Sequence, residues 1–445
     1  MEKIKFIDLF AGIGGLRLGF EQAFKEQGFE TECVMTSEIK PHALKALHHN
    51  FKHDHFVGDI TKVTNAEIPD FDFLLAGFPC QPFSAGGKRQ GFVDTRGTLF
   101  FEIERILADK KPQGFILENV EGLVKHDLEN KKDEIGRTLK VILQKLDDLD
   151  YNVSWDVFNA ANFGLPQARK RVFIVGILKE KISLKNFPVQ HGYIKDILEK
   201  GLKTENSKFI TALLKHFKLE DLYGKSIKDK RGGDNNIHSW DIELKGPISK
   251  EQHILLNQLF RERRRKKWAE EIGMDWMDGM PLTYEQIKTF YKGPKLKELL
   301  DDLVIKGYLK LEHPKTLVKE QLLLGVKSYR VPDPRLPKGY NIVTGKLSFE
   351  VNKILDPNDI APTLVATDMA RLVVPDGNGL RKMTLREGLR LFGYPEWFEL
   401  PVKENDGFDL LGNTVAVNVV EAVAGRLAAR IQANPKKKVL ERSYI

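Results

Sequence analysis

The chain has 445 residues, 42% hydrophobic and 30% charged, which excludes a wholly disordered polypeptide and leaves room for two or three domains. Its two cysteines exclude a disulfide scaffold; no apolar run nears the ~18 residues of a membrane span, and Met1 to Lys5 leads directly into a strand-like run with no signal segment, so a cytoplasmic protein without a membrane partner is expected. A net charge of +8 and a pI near 9.0 ease the approach of a polyanion without naming one.

In chain order, Ile4 to Phe10 reads as a short strand running into the turn Ala11-Gly12-Ile13-Gly14-Gly15. Leu16, Phe20, Ala23 and Phe24 then recur at helical spacing. The glycines let a ligand approach the backbone closely, but Leu16 and Arg17 break the dinucleotide spacing Gly-x-Gly-x-x-Gly. A second strand, Glu32 to Thr36, carries Cys33 as a core residue and ends at Glu38, where a carboxylate can accept from ribose hydroxyls. A third, His55 to Val57, ends at Gly58-Asp59-Ile60. Glycine turn, Glu38 and Asp59 at successive strand ends point to an adenosine pocket.

A fourth strand, Phe71 to Gly77, delivers Pro79-Cys80-Gln81 to the carboxyl edge of the sheet, where a thiol is placed to act as a nucleophile. A fifth, Gly114 to Leu117, ends at Glu118-Asn119-Val120. Gln167-Ala168-Arg169-Lys170-Arg171 then leads into a sixth strand, Val172 to Val175. On an extended segment Arg169 and Arg171 point to the same side of the sheet.

Residues from about 179 to 360 carry no such motif. Arg261 to Lys267 holds six basic residues and one acidic, followed by Trp268, and reads either as a phosphate-contacting stripe or as a solvated helix face. Thr283 to Ile287, a break at Gly293-Pro294, Leu296 to Leu303 and then Gly307-Tyr308-Leu309 resemble a winged helix; an ordinary amphipathic helical pair is the alternative. In the winged reading the second helix, or Arg261 to Lys267, approaches the major groove.

These motifs, in this order, resemble those of the DNA (cytosine-5) methyltransferases: Phe10-Ala11-Gly12-Ile13-Gly14-Gly15, Glu38, Gly58-Asp59-Ile60, Gly77-Phe78-Pro79-Cys80-Gln81-Pro82-Phe83-Ser84, Arg96-Gly97-Thr98-Leu99-Phe100, Glu118-Asn119-Val120 and Gln167-x-Arg169-x-Arg171. Beyond the middle region, Arg381 to Pro395 and Gly412-Asn413-Thr414-Val415 continue the match.

The resemblance implies a bacterial restriction-modification enzyme with a Rossmann-like S-adenosylmethionine domain (α/β, mostly parallel sheet) and an inserted target recognition domain. On that reading residues 1–178 begin the catalytic domain, 179–395 form the recognition domain with its hinge, and 396–445 return to the catalytic domain. Cys80 would attack carbon 6 of cytosine, Glu118 would hold ring nitrogen 3 and the amino group, and Arg169 and Arg171 would assist. Phe10, Gly12, Gly14, Glu38, Ile39, Asp59, Ile60, Pro79, Leu99, Asn413, Thr414 and Val415 would hold S-adenosylmethionine and its product S-adenosylhomocysteine, with no metal.

Duplex DNA would meet Gln81, Ser84, Lys88, Arg89 and Arg96 on a closing lid, and Arg263 and Arg264 in the middle region. Because Gly86-Gly87 offers no side chain to fill the space left by a flipped base, the filler is expected from the recognition region. The implied enzyme is a nucleoid-associated monomer, with a cognate restriction endonuclease acting separately. An RNA-methylating relative, a catalytically dead regulator and a nicotinamide oxidoreductase are the competing readings.

Overall fold

The computed structural model describes residues 3–52, 55–79, 98–130, 132–178, 181–230, 235–322, 325–344, 349–364 and 369–433. Strand β1 (Ile4–Leu9) shows how the first unit is layered. Ile4 and Phe6 enter one hydrophobic core, Ile7 and Leu9 another, as the alternation of side chains along a strand requires. Parallel neighbours β2 (Thr31–Ser37), β3 (Phe56–Val57), β4 (Phe73–Gly77) and β5 (Gly114–Val120) extend the sheet. Buried on both faces, β4 and the first half of β5 are almost continuously apolar.

Two further strands, β6 (Tyr151–Asn159) and β7 (Lys170–Leu178), pair antiparallel with each other, and β7 runs antiparallel to β5. The sheet order is β3-β2-β1-β4-β5-β7-β6. The strand read from sequence over Val172 to Val175 is β7; β6 escaped notice because its half-buried residues lack a clean alternation.

Helices cover both faces. Helix α1 (Gly15–Glu26) and the helix Val417–Ala433 pack on one side, with Phe20 stacked 4.1 Å from Phe24, and Phe24 edge-on to Phe73, in the shared core. On the other side, Ile103, Ile106 and Leu107 of Thr98–Lys110 meet Leu139, Ile142 and Leu146 of Arg137–Asp147. Residues far apart in sequence therefore build one layer. A Cβ at Gly19 of α1 would fall 2.7 Å from Val420 Cβ and 2.8 Å from the Val417 carbonyl, so the two helices touch backbone to backbone there.

The chain divides into two units, one of Met1–Glu199, Asp356–Ala370 and Met383–Ile445, the other of Lys200–Leu355 and Arg371–Lys382. The first division falls some twenty residues later than the boundary drawn from sequence. Ile182 and Leu184 join the first unit's core, and the Ile194 N–H donates to the Asp359 carbonyl.

The second unit holds a five-stranded sheet and a helical subdomain. The subdomain runs helix Lys250–Glu262, helix Lys267–Glu271, a single bridge between Leu282 and Tyr340, helices Tyr284–Phe290 and Leu296–Ile305, strand Leu309–Glu312, hairpin Lys315–Leu322/Gly325–Pro332, and strand Gly339–Ile342. This element order resembles that of a winged helix, with the hairpin in the place of the wing. Ser249 with Gln252, and Thr283 with Gln286, form capping boxes that start two of the helices. Leu255, Leu259, Trp268, Leu300, Leu303 and Ile342 close its core. Among the described residues no helix is long and apolar enough to cross a membrane.

Candidate active site

Strand order reverses between β1 and β4, which opens a crevice at their carboxyl ends. At the end of β1 the chain turns through positive φ at Phe10, Gly12 and Gly14. A Cβ at Gly14 would fall 2.5 Å from the Phe51 ring, whereas one at Gly12 would meet nothing within 4 Å. The turn is thus packed behind and open in front. Glu38, buried at the end of β2, accepts from the Gly12 N–H at 2.7 Å with Oε2 and from the Ile39 and Lys40 N–H groups at 2.8 Å with Oε1. Its carboxylate ties the glycine turn to the neighbouring strand. Ile39 leaves 69% of its surface exposed beside it.

Asp59 accepts from Thr61 Oγ1 at 2.7 Å and from its N–H at 3.1 Å, bonds that hold its carboxyl below the ordinary carboxylate range, while Ile60 is buried next to it. Asn413 follows the helix Glu404–Gly412 and is exposed, its amide donating to the Asp409 carbonyl at 2.8 Å. Thr414 Oγ1 lies 2.6 Å from the Tyr394 hydroxyl. A Cβ at Gly15 would strike both that hydroxyl and Val415, so the segment 413–415 packs directly on the start of α1.

Asp8 lies beneath the turn, fully buried, with neither carboxylate oxygen hydrogen-bonded among the described residues. Burial pushes its pKa up to about 8 against the pull of Arg17. Nothing in the sequence flags this residue, which reads there as part of a strand.

Beyond β4, Phe78 is buried and Pro79 exposed. Asn119 Nδ2, itself buried, donates to the Phe78 carbonyl at 2.9 Å and so fixes the segment that leads to Cys80. Sequence reasoning quoted Asn119 within a motif without giving it this part. Cys80, Gln81, Ser84, Lys88, Arg89 and Arg96 lie outside the described residues. Leu99 is half-buried at the start of the helix Thr98–Lys110.

At the end of β5, Glu118 Oε1 stands 3.1 Å from Arg171 Nε on β7. Burial raises the Glu118 pKa, opposed by Arg171 and then Arg169. Arg171 also lines a depression of about 370 Å³ with Val120, Ala168, Lys170 and Thr363, large enough for a nucleobase.

Arg169 does not share this position, contrary to the expectation that both arginines point one way. It is 2% exposed and donates to the carbonyls of Leu364 at 3.1 Å, Gly412 at 3.3 Å and Thr414 at 2.7 Å. The residue precedes the regular pairing of β7, so strand alternation does not govern it.

In the second unit Arg263 is 3% exposed, with Nη1 donating to Asn341 Oδ1 at 2.8 Å. Its charge faces the subdomain core, which corrects the expectation that it meets phosphate. Arg264 is partly exposed but engaged, pairing with Asp278 at 3.4 Å and lying over the Phe260 ring. Arg261, Arg265, Lys266 and Lys267 present the outward charge of the run. Among the described residues, no three His, Cys, Asp or Glu side chains gather as a metal site.

A mostly parallel sheet with one antiparallel strand, β7, inserted between β5 and β6, beside a glycine-lined crevice is the architecture of S-adenosylmethionine-dependent methyltransferases. The solved Dnmt2 methyltransferase of S. pombe shares the fold, with a TM-score of 0.51 at 15% identity over 97% of this chain and 99% of that one. A model of the C-5 cytosine-specific DNA methylases matches residues 4–429, and the chain belongs to that family. It is 60% identical over 427 residues to the type II methyltransferase M.NlaIV of Neisseria lactamica, covering 96% of this chain and 99% of that protein. Type II methyltransferase M.NgoBV of Neisseria gonorrhoeae is 59% identical with the same coverage.

Proposed function

We propose that this DNA (cytosine-5) methyltransferase is sequence-specific, that it modifies a cytosine rotated out of duplex DNA through a covalent bond from Cys80, and that it protects DNA from a cognate restriction endonuclease. The observation that carries the reading is the Glu118–Arg171 pair, held at the tips of β5 and β7 next to the strand that leads to Cys80.

S-adenosylmethionine, when bound, supplies the methyl group as an electrophilic carbon on sulfur. The open front of the turn at Gly12 and the open space at Gly58 fit such a ligand, since a Cβ at either would meet nothing within 4 Å. Phe10, Gly14, Pro79, Leu99 and Asn413 to Val415 would line it, Glu38 would take its ribose, and Ile39, Asp59 and Ile60 its adenine.

The Cys80 thiolate adds to carbon 6 of cytosine, and the displaced electron pair makes carbon 5 nucleophilic. Glu118, whose pKa burial raises, holds ring nitrogen 3 and donates a proton to it as charge develops there. Arg171 steadies that carboxyl and offsets the charge. After methylation a base removes the carbon 5 proton, the ring double bond re-forms, and Cys80 leaves as thiolate. Arg169 contributes by holding the segment at Gly412 and Thr414.

Base-resolution conversion sequencing of plasmid DNA from cells expressing the wild-type chain or Cys80→Ser tests this reading. Carbon 5 methylation within one recurring motif, absent in the mutant, is expected. Folded wild-type protein that leaves plasmid DNA unmodified would sink it.

A further inference from the structure

We infer that the second unit meets duplex DNA through a platform centred on Trp276, and not through the helix Leu296–Ile305 that occupies the recognition position of its winged helix. The inference rests on the reading that this unit carries target recognition.

Trp276 is 41% exposed, yet it is held from two sides. Its indole N–H donates to the Arg264 carbonyl at 3.0 Å, and its own carbonyl accepts from Arg330 Nη2 at 2.7 Å. Arg330 also donates to the Lys315 carbonyl at 2.9 Å, which ties the loop to the base of the wing. Arg264 in turn donates to the Lys230 carbonyl and lies 4.7 Å from the Phe260 ring centroid. With the polar edge of the indole satisfied, what the ring offers to solvent is its apolar surface. A large aromatic fixed in an exposed position has lost its freedom before any partner arrives, which lowers the entropy cost of binding.

The chemistry around it fits a nucleic acid. Chain segments near residues 230, 264, 276 and 330 meet there, and the exposed Arg261 and Lys266 belong to the same basic run as Arg264. Cations for phosphates beside an apolar ring that packs on sugars or wedges at a base step is a combination by which proteins grip duplex DNA.

The recognition-position helix offers the opposite. Its acids are each paired with a lysine: Glu298 with Lys295, Asp301 with Lys297, and Asp302 with Lys306. Ile305 at its end is exposed beside these pairs. That face has no surplus positive charge for a duplex.

Fluorescence anisotropy with a labelled 30-base-pair duplex carrying the motif identified by conversion sequencing, in the presence of S-adenosylhomocysteine, tests the inference. Trp276→Ala should weaken binding by about tenfold or more, while Trp276→Phe stays within about threefold and Glu298→Gln leaves binding unchanged. As a second measurement, adding duplex should quench tryptophan emission in wild type and quench it markedly less in Trp276→Phe, a conservative change that keeps the fold. Equal duplex affinity and equal quenching in wild type and variants would overturn the platform while leaving the enzyme reading intact. A wild-type chain that binds no duplex would overturn both.

Discussion

Arg171 Nε lies 3.1 Å from Glu118 Oε1 although the two residues come from strands more than fifty positions apart. The register makes the contact: Arg171 pairs with Val120 across the β5–β7 ladder, so its side chain reaches one step diagonally to Glu118. The result is a largely buried carboxyl whose pKa burial raises, with Arg171 at its edge and Arg169 as a second, weaker opposing charge.

Glu118→Gln should lower the methyl-transfer rate by about 10²- to 10⁴-fold, the range of a lost general acid. In wild type the protonated fraction of Glu118 falls as pH rises through its raised pKa, so the alkaline side of the rate profile should descend. The variant should lack that limb. Single-turnover rates from pH 5.5 to 9 measure both.

Removing the Arg169 guanidinium strands the carbonyls of Leu364, Gly412 and Thr414. Arg169→Ala should cost about 3 kcal/mol or more of stability in urea unfolding. S-adenosylhomocysteine affinity, measured by calorimetry, should fall with it. Arg169→Lys should recover only part of either, because an ammonium cannot span three acceptors set in a fork.

Asp8 titrates in the folded chain near pH 8 and in the unfolded chain near pH 4. Between those values the folded state holds a proton that the unfolded state has released. Its stabilising contribution is therefore full below about pH 4 and lost as pH rises to 8. Asp8→Asn cannot titrate, so its melting temperature should decline less than that of wild type between pH 5 and 8. Parallel slopes in thermal melts would refute the point.

Gly19→Ala should destabilise the first unit by about 1–3 kcal/mol, because backbone of the helix Val417–Ala433 cannot yield to the added methyl. Gly425→Ala, on that same helix, meets nothing within 4 Å and should instead stabilise by about 0.5–1 kcal/mol. Urea midpoints of the pair check that the close approach, and not helix propensity, sets the difference.

The glycine turn, the apolar strands, and Glu38, Asp59 and Glu118 at strand ends were legible in the sequence because each depends on neighbours within about ten residues. Apolar runs mark buried strands, and glycines mark turns that need positive φ. The order of these signals along the chain was enough to identify the family. Tertiary structure alone decided where the long polar side chains went. Arg169 left its expected place for carbonyls 195 and more residues away, Arg263 turned inward to Asn341, and Asp8 was sealed in with no hydrogen-bond partner among the described residues. A guanidinium or a carboxyl takes its role from the acceptors, charges and solvent around it, and those are supplied by segments that only folding brings together.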